Sequence, residues 1–130
     1  MKFYEPNETS YINRLIKELL KTIELTGTQN QILITSFNID ALKILREESE
    51  NIPIGVLYEK LPKNWKKDKI HLNAVSVHLD YRFITLKQLK EISLLSAKVF
   101  VYKCNNPDEI ATLWDAGLSG VITDDPLNFI

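Results

Sequence analysis

The chain has 130 residues, 16 basic and 17 acidic side chains and a formal net charge of −1. That length is one domain with room for a real core, and so balanced a charge argues against nucleic acid or an anionic membrane as partner. No apolar run is long enough to span a bilayer, residues 1–5 do not read as a signal peptide, and the lone Cys104 fits a reducing cytoplasm, the expected location.

Residues 2–6 form a short stub with the pattern of a strand or its remnant, and residues 7–10 offer several helix caps. Ile12, Leu15, Ile16, Leu19, Leu20 and Ile23 then recur at helical spacing, predicting an amphipathic helix that stops near Gly27. Residues 31–35 are an apolar strand leading to Ser36 and Phe37. Asn38 caps a second helix carried by Ala41, Leu42, Ile44 and Leu45, and residues 54–58 are the next strand. Residues 59–73 interrupt this rhythm with Lys60, Lys63, Lys66, Lys67 and Lys69 around Trp65. A solvated loop with Trp65 tucked onto the body is expected there, in preference to a phosphate or nucleic-acid patch. Residues 74–77 are a strand with His78 at its C-terminal end. Thr85 to Gln88 has the capping-box pattern, opening a helix whose face is Leu86, Leu89, Ile92 and Leu95.

The last stretch is the most explicit. Val99, Phe100, Val101 and Tyr102 suit a buried strand. Asn106 caps a helix, Pro107 fits its first turn, and Asp108 and Glu109 complement its positive end. Ile110, Ala111, Leu113 and Trp114 give one apolar face, and Gly117 supplies a left-handed stop. Residues 120–123 are a second strand, closed by Asp124, Asp125 and Pro126. Such a β-α-β unit implies a parallel pair and a right-handed crossover, with Asn105, Thr123 and Asp124 at one edge. Cys104, at a packed strand end, reads as structural and not as a nucleophile.

Two architectures accommodate this series, an open doubly wound sheet and part of a β/α barrel. A receiver-like sheet would need an acidic pair after the first strand and a lysine after the last, but the chain has Ser36-Phe37 and Thr123-Asp124. No glycine-rich phosphate loop follows the first clear strand. The expected fold is therefore α/β, a partial (β/α) TIM barrel of about five parallel strands alternating with helices, as one domain over 1–130.

The segments ILITSFNIDALKIL, IPIGVLYE, AVSVHLDYRFIT and VFVYKCNNPDEIATLWDAGLSGVITDDP, in this order and spacing, resemble the C-terminal part of a bacterial glycerophosphodiester phosphodiesterase. The resemblance covers most of 32–130. It implies a β/α barrel whose last five strands lie here, in a family that hydrolyses glycerophosphodiesters to glycerol 3-phosphate and an alcohol. That chemistry uses a histidine pair and a divalent metal, Mg or Ca, held by carboxylates. The histidine of the family's His-Arg-Gly motif, the His-Asp motif and the early acidic ligands have no counterpart in these 130 residues. With the stub aligned on Pro6, the metal-binding Glu position falls on Phe3 and the phosphate-contacting Lys position on Glu5. Lys103 stands where the family usually has Thr. Ser96 stands where a Gly usually ends the helix, so a left-handed turn there would be slightly strained.

No catalytic residue, cofactor or metal ligand is therefore expected in this chain alone, and by itself it is expected to be inactive. The expected substrate-side residues are Tyr102, at the aromatic position that the resemblance places against the glycerol moiety, with Asn105, Ser36 and His78; Thr123 shares their surface. His78 reads as a hydrogen-bonded structural residue near the substrate and not as a general base. A small glycerophosphodiester or phosphate is the expected ligand. The alternative function is a non-catalytic binding module built on the barrel mouth. Ile34, Val56, Val77, Val101 and Ile122 come from runs apolar on both faces, so five strands alone would leave an apolar inner face in water. A homodimer, or a partner supplying the N-terminal half, is the expected remedy.

Overall fold

A computed structural model describes residues 6–28 and 31–129 of the chain. The stub, and with it the alignment of Phe3 and Glu5, lies outside the described residues. Helix α1 spans Pro6–Thr26, and strand β1, Ile34–Ser36, follows it. Asn38 caps α2 (Ile39–Glu48) by accepting the Ala41 N–H at 3.0 Å. Strand β2 is Ile54–Tyr58, helix α3 Trp65–Leu72, strand β3 Ser76–Asp80, helix α4 Leu86–Leu94 and strand β4 Lys98–Tyr102. The chain closes with a 3-10 helix, Pro107–Ala116, strand β5, Gly120–Val121, and a short 3-10 turn, Pro126–Phe129.

The five strands among the described residues are all parallel and lie in sequential order, β1-β2-β3-β4-β5. A doubly wound sheet reverses its strand order partway, which sends helices to both faces. Sequential order with right-handed crossovers sends them all to one. The packing follows that rule. One cluster joins Val77, Leu79, Val99 and Val101 to Leu89 and Ile92 of α4 and Ile110 and Leu113 of the long 3-10 helix. The other joins Ile54 and Val56 to Ile12, Ile16 and Ile23 of α1 and Leu42 and Leu45 of α2. This is the strand and helix arrangement of a barrel segment, as expected.

Several expectations need correction. Residues 59–73 contain a helix: α3 starts at Trp65, which is 4 % exposed in the core, and ends on Asn73 in the left-handed region at φ 47°. The lysine density hid it, because only Trp65 and Leu72 are buried in its two turns. Strand β3 runs on to Asp80, so His78 sits in mid-strand and Asp80 takes the end position. Of the apolar face expected on α1, Ile12, Ile16 and Ile23 are buried, whereas Leu15 and Leu19 face outward. The inner face of the sheet is not a bare apolar surface either. Of the five residues expected there, Ile34, Val56, Val77 and Val101 pack on the helix side and Ile122 is 42 % exposed, while the opposite face also carries Thr35, Gly55, Ser76 and His78.

That inner face is packed by its own side chains. The His78 ring stacks on Phe100, centroids 4.9 Å apart and planes 16° apart. A methyl group on Gly55 would lie 2.7 Å from His78 Nε2, and one on Gly120 would lie 2.8 Å from the Phe100 ring. Each ring thus covers a glycine of the neighbouring strand, and the two glycines are the room that this layer needs.

Candidate functional site at the barrel mouth

Parallel strands share one C-terminal edge, and here that edge gathers the ends of β1, β3, β4 and β5. Ser36 and Tyr102 lie at the same end of the sheet, as the parallel reading requires. Their roles differ. The Ser36 Oγ accepts the Asn38 N–H at 3.0 Å, so it shapes the turn into α2. Its neighbour Phe37 is the residue that reaches the mouth: its ring is 58 % exposed and meets Tyr102 edge-on, centroids 6.0 Å apart.

Tyr102 is half-buried and donates its hydroxyl to the Tyr58 carbonyl at 2.8 Å, which fixes the side chain across the end of β3 to β2. Burial raises its pKa, and the carboxylates of Asp80 and Glu59 push the same way, so it stays a neutral phenol. Asp80 is Tyr102's register partner on β3. Arg82 donates to both of its carboxylate oxygens, from Nε at 3.1 Å and Nη2 at 2.7 Å, and its backbone N–H adds a third bond at 3.0 Å. The Arg82 hydrogen bond is the main reason that the Asp80 carboxyl is held below the ordinary carboxylate range; desolvation opposes it. Asp80, Tyr81, Arg82, Tyr102 and Lys103 line an open depression of about 430 Å³.

Asn105 and Thr123 are beside this depression but act on the fold. The Asn105 Oδ1 accepts the Thr123 hydroxyl at 2.7 Å and the Asp124 N–H at 2.9 Å, tying the end of β4 to the end of β5. Lys103 reaches Asp124 at 3.6 Å, both well exposed, and Asp125 receives an Asn128 amide, so the two acids serve this terminal turn.

His78 lies two residues below Asp80 on the same face, 3 % exposed and not at the mouth. Its Nε2 pairs with the Ser76 hydroxyl at 2.8 Å, and its Nδ1 has no hydrogen-bond partner among the described residues. Burial lowers its pKa to about 4, so the ring is neutral at physiological pH. The expected substrate-side position for His78 is thus corrected: the ring is hydrogen-bonded to Ser76 and lies one layer beneath the strand end where the sequence placed it. Cys104 is likewise buried, its thiol against the Asn106 carbonyl at 3.1 Å.

The residues that the sequence reading missed are Phe37, Asp80 and Arg82. The sequence signal was incomplete: the alternation of Ser76, His78 and Asp80 against Val77 and Leu79 puts Asp80 on the His78 face, but its place at the strand end comes from the pairing with Tyr102 on β4. Among the described residues no group of three or more His, Cys, Asp or Glu side chains is placed to hold a metal ion. With both Asp80 oxygens taken by Arg82, the residues described here do not fit the divalent cation that the family resemblance implies.

Fold and site together define a segment of a parallel β/α barrel whose open mouth carries an aromatic pair beside a charged one. The chain belongs to the glycerophosphoryl diester phosphodiesterase family, whose model matches residues 3–128. It is 26 % identical over 115 residues to a glycerophosphodiester phosphodiesterase of Caldanaerobacter subterraneus, covering 88 % of this chain and 47 % of that one. A phosphodiesterase of Oleispira antarctica, solved in complex with the product sn-glycerol-3-phosphate, superposes with a TM-score of 0.79 at 22 % identity, over 91 % of this chain and 48 % of its own. A glycerophosphodiester phosphodiesterase of Parabacteroides distasonis gives a TM-score of 0.76 at 15 % identity, over 94 % and 50 %. The chain spans about half the length of these relatives.

Proposed function

We propose that this chain forms the C-terminal wall of a glycerophosphodiester-binding site, and that hydrolysis requires groups beyond these 130 residues. The Phe37–Tyr102 pair carries the reading: two rings at the C-terminal edge of a barrel present an apolar surface suited to a glycerol backbone. Arg82 and Lys103 line or border the same depression with cationic groups more than half exposed, which suits a phosphate. General acid–base and Lewis-acid groups are what the reaction needs besides binding. The chain's histidines are His71, exposed on α3, and His78, buried beneath the mouth.

The test is an assay of glycerophosphocholine hydrolysis by the purified chain with Mg or Ca, alongside a titration with glycerol 3-phosphate followed by aromatic NMR signals. No hydrolysis and shifts centred on Tyr102 and Phe37 are expected. Metal-dependent hydrolysis that disappears in His78→Ala, or shifts that avoid both rings, would overturn the reading. A second reading is a non-catalytic module using the same mouth, consistent with both Asp80 oxygens being bonded to Arg82. The two part on whether joining an upstream half from a family member creates activity.

A further inference from the structure

The balanced total of 16 basic and 17 acidic residues conceals an uneven distribution. Helices α3 and α4 with the turns on either side of them, residues 63–75 and 84–98, hold seven lysines and two acids. Both acids are engaged: Asp68 accepts the Tyr58 hydroxyl at 2.8 Å, and Glu91 pairs with Lys66 at 3.1 Å. That ion pair joins the outer faces of α3 and α4. Ile70 lies one turn beyond Lys66 and Leu94 one turn beyond Glu91, so the two emerge side by side below it. They are 78 % and 83 % exposed, the highest values for large apolar side chains among the described residues, and the nearby Val75 and Leu95 are exposed too. The Val75 carbonyl accepts the Lys98 N–H at 3.0 Å, which holds the turns after α3 and α4 together. Lys87, Lys90 and Leu94, at i, i+3 and i+7, share one shallow depression on α4. At the adjoining end of α2, Glu48 lines a cavity with α1, while Arg46 reaches α3 and donates to the Leu72 carbonyl at 2.7 Å. Neither helix lies at an open edge of the sheet, since α3 packs on α2 and α4 on the long 3-10 helix.

We propose that this outer face of α3 and α4 is a docking surface for an anionic lipid bilayer, with Ile70, Leu94 and Leu95 entering the headgroup boundary and the surrounding lysines meeting lipid phosphates. Binding at such an interface scales with the apolar area inserted and with attraction to anionic lipids, and this face supplies both terms. Other occupants fit less well. A nucleic acid would meet the lysines but gain nothing from protruding aliphatic side chains. Two copies set face to face would oppose like charges, seven lysines against seven. The inference does not rest on the proposed function, and its test reads no activity.

The experiment is co-sedimentation of the purified chain with vesicles at about 0.1 M salt. One set is phosphatidylcholine alone, and the other contains about one quarter phosphatidylglycerol. Binding to the anionic vesicles is expected to be at least about tenfold tighter. Ile70→Gln with Leu94→Gln, and separately Lys87→Gln with Lys90→Gln, should each weaken it about tenfold. Leu25→Gln, at a 77 % exposed position on α1, should leave it unchanged. All five positions are exposed, so the variants should melt as the wild type does, and the comparison of lipids needs no variant. Equal binding to both vesicle types, or binding to neither, overturns the proposal. So does anionic-vesicle binding that survives Ile70→Gln with Leu94→Gln, which would mark a purely electrostatic patch open to nucleic acid. A mass by light scattering that grows with concentration in the wild type, but not in that double variant, would make a second copy the occupant and overturns it too.

Discussion

At the scale of single residues, the inner face of the sheet is limited by volume. A Cβ on Gly55 would fall 2.5 Å from Ser76 Oγ, 2.7 Å from His78 Nε2 and 2.9 Å from Thr35 Cγ2. The three groups belong to β1 and β3, which flank Gly55, and the two β3 groups are bonded to each other, so none yields without cost. Gly55→Ala should therefore destabilise the fold by about 1–3 kcal/mol, the usual penalty for overpacking a close-packed layer. Urea denaturation checks this, and a midpoint equal to the wild type's would show that the layer has slack. Tyr102→Phe is a milder change. It removes a hydroxyl bonded to the Tyr58 carbonyl while keeping the ring against Phe37, so a loss of about 1 kcal/mol is expected with binding at the mouth retained.

At the scale of elements, the helix ends were readable because capping is local chemistry. Asn38, Thr85, Asn106 and Gly117 all cap as their residue types predict: Thr85 and Gln88 form the complete reciprocal box, and Gly117 is left-handed at φ 113°. Ser96 is left-handed as well, at φ 63°, as the sequence comparison anticipated for a serine in a glycine's position. Ser96→Gly should therefore raise stability by up to about 1 kcal/mol, relief of the Cβ penalty being partly offset by the freedom glycine adds to the unfolded chain. Thr85→Ala should lower it by about 1 kcal/mol. Matched thermal melts of the two variants would test both signs, and a destabilised Ser96→Gly would show that the serine side chain itself holds the turn. What remained illegible depends on non-local partners. The helix α3 buries only Trp65 and Leu72, so its pattern gave no periodicity. The end of β3 could not be placed without the register to β4 that pairs Asp80 with Tyr102. Nor could the sequence show that Ser36 turns into the α2 cap while Phe37 takes the mouth.

At the scale of the whole molecule, sequential strand order leaves one face of the sheet without helices, and that face is held by a layer with an ionisable group in it. The His78 ring sits over Gly55 and against Phe100, with Nδ1 buried and unpaired, so protonation would place a charge where no carboxylate or carbonyl is bonded to it. Its pKa falls from the ordinary 6.5 to about 4, because burial penalises the charged form. Between those values the unfolded chain binds the proton and the folded chain does not. Stability is therefore complete above about pH 6.5 and declines as the pH falls toward 4, with a slope of at most about 1.4 kcal/mol per pH unit. Asp80, next on the same face, acts in the same direction but lower. Its pKa is depressed by Arg82 from an ordinary 3.8, so its contribution is kept above that value and lost only in stronger acid. The two groups thus occupy separate windows. Urea midpoints measured from pH 7.5 to 4.5 should fall steadily for the wild type, and His78→Gln, which keeps a polar side chain beside Ser76 but cannot take up the proton, should flatten the curve over that range. An equally steep decline in His78→Gln would mean that the acid sensitivity arises elsewhere and that the inner layer tolerates the charge.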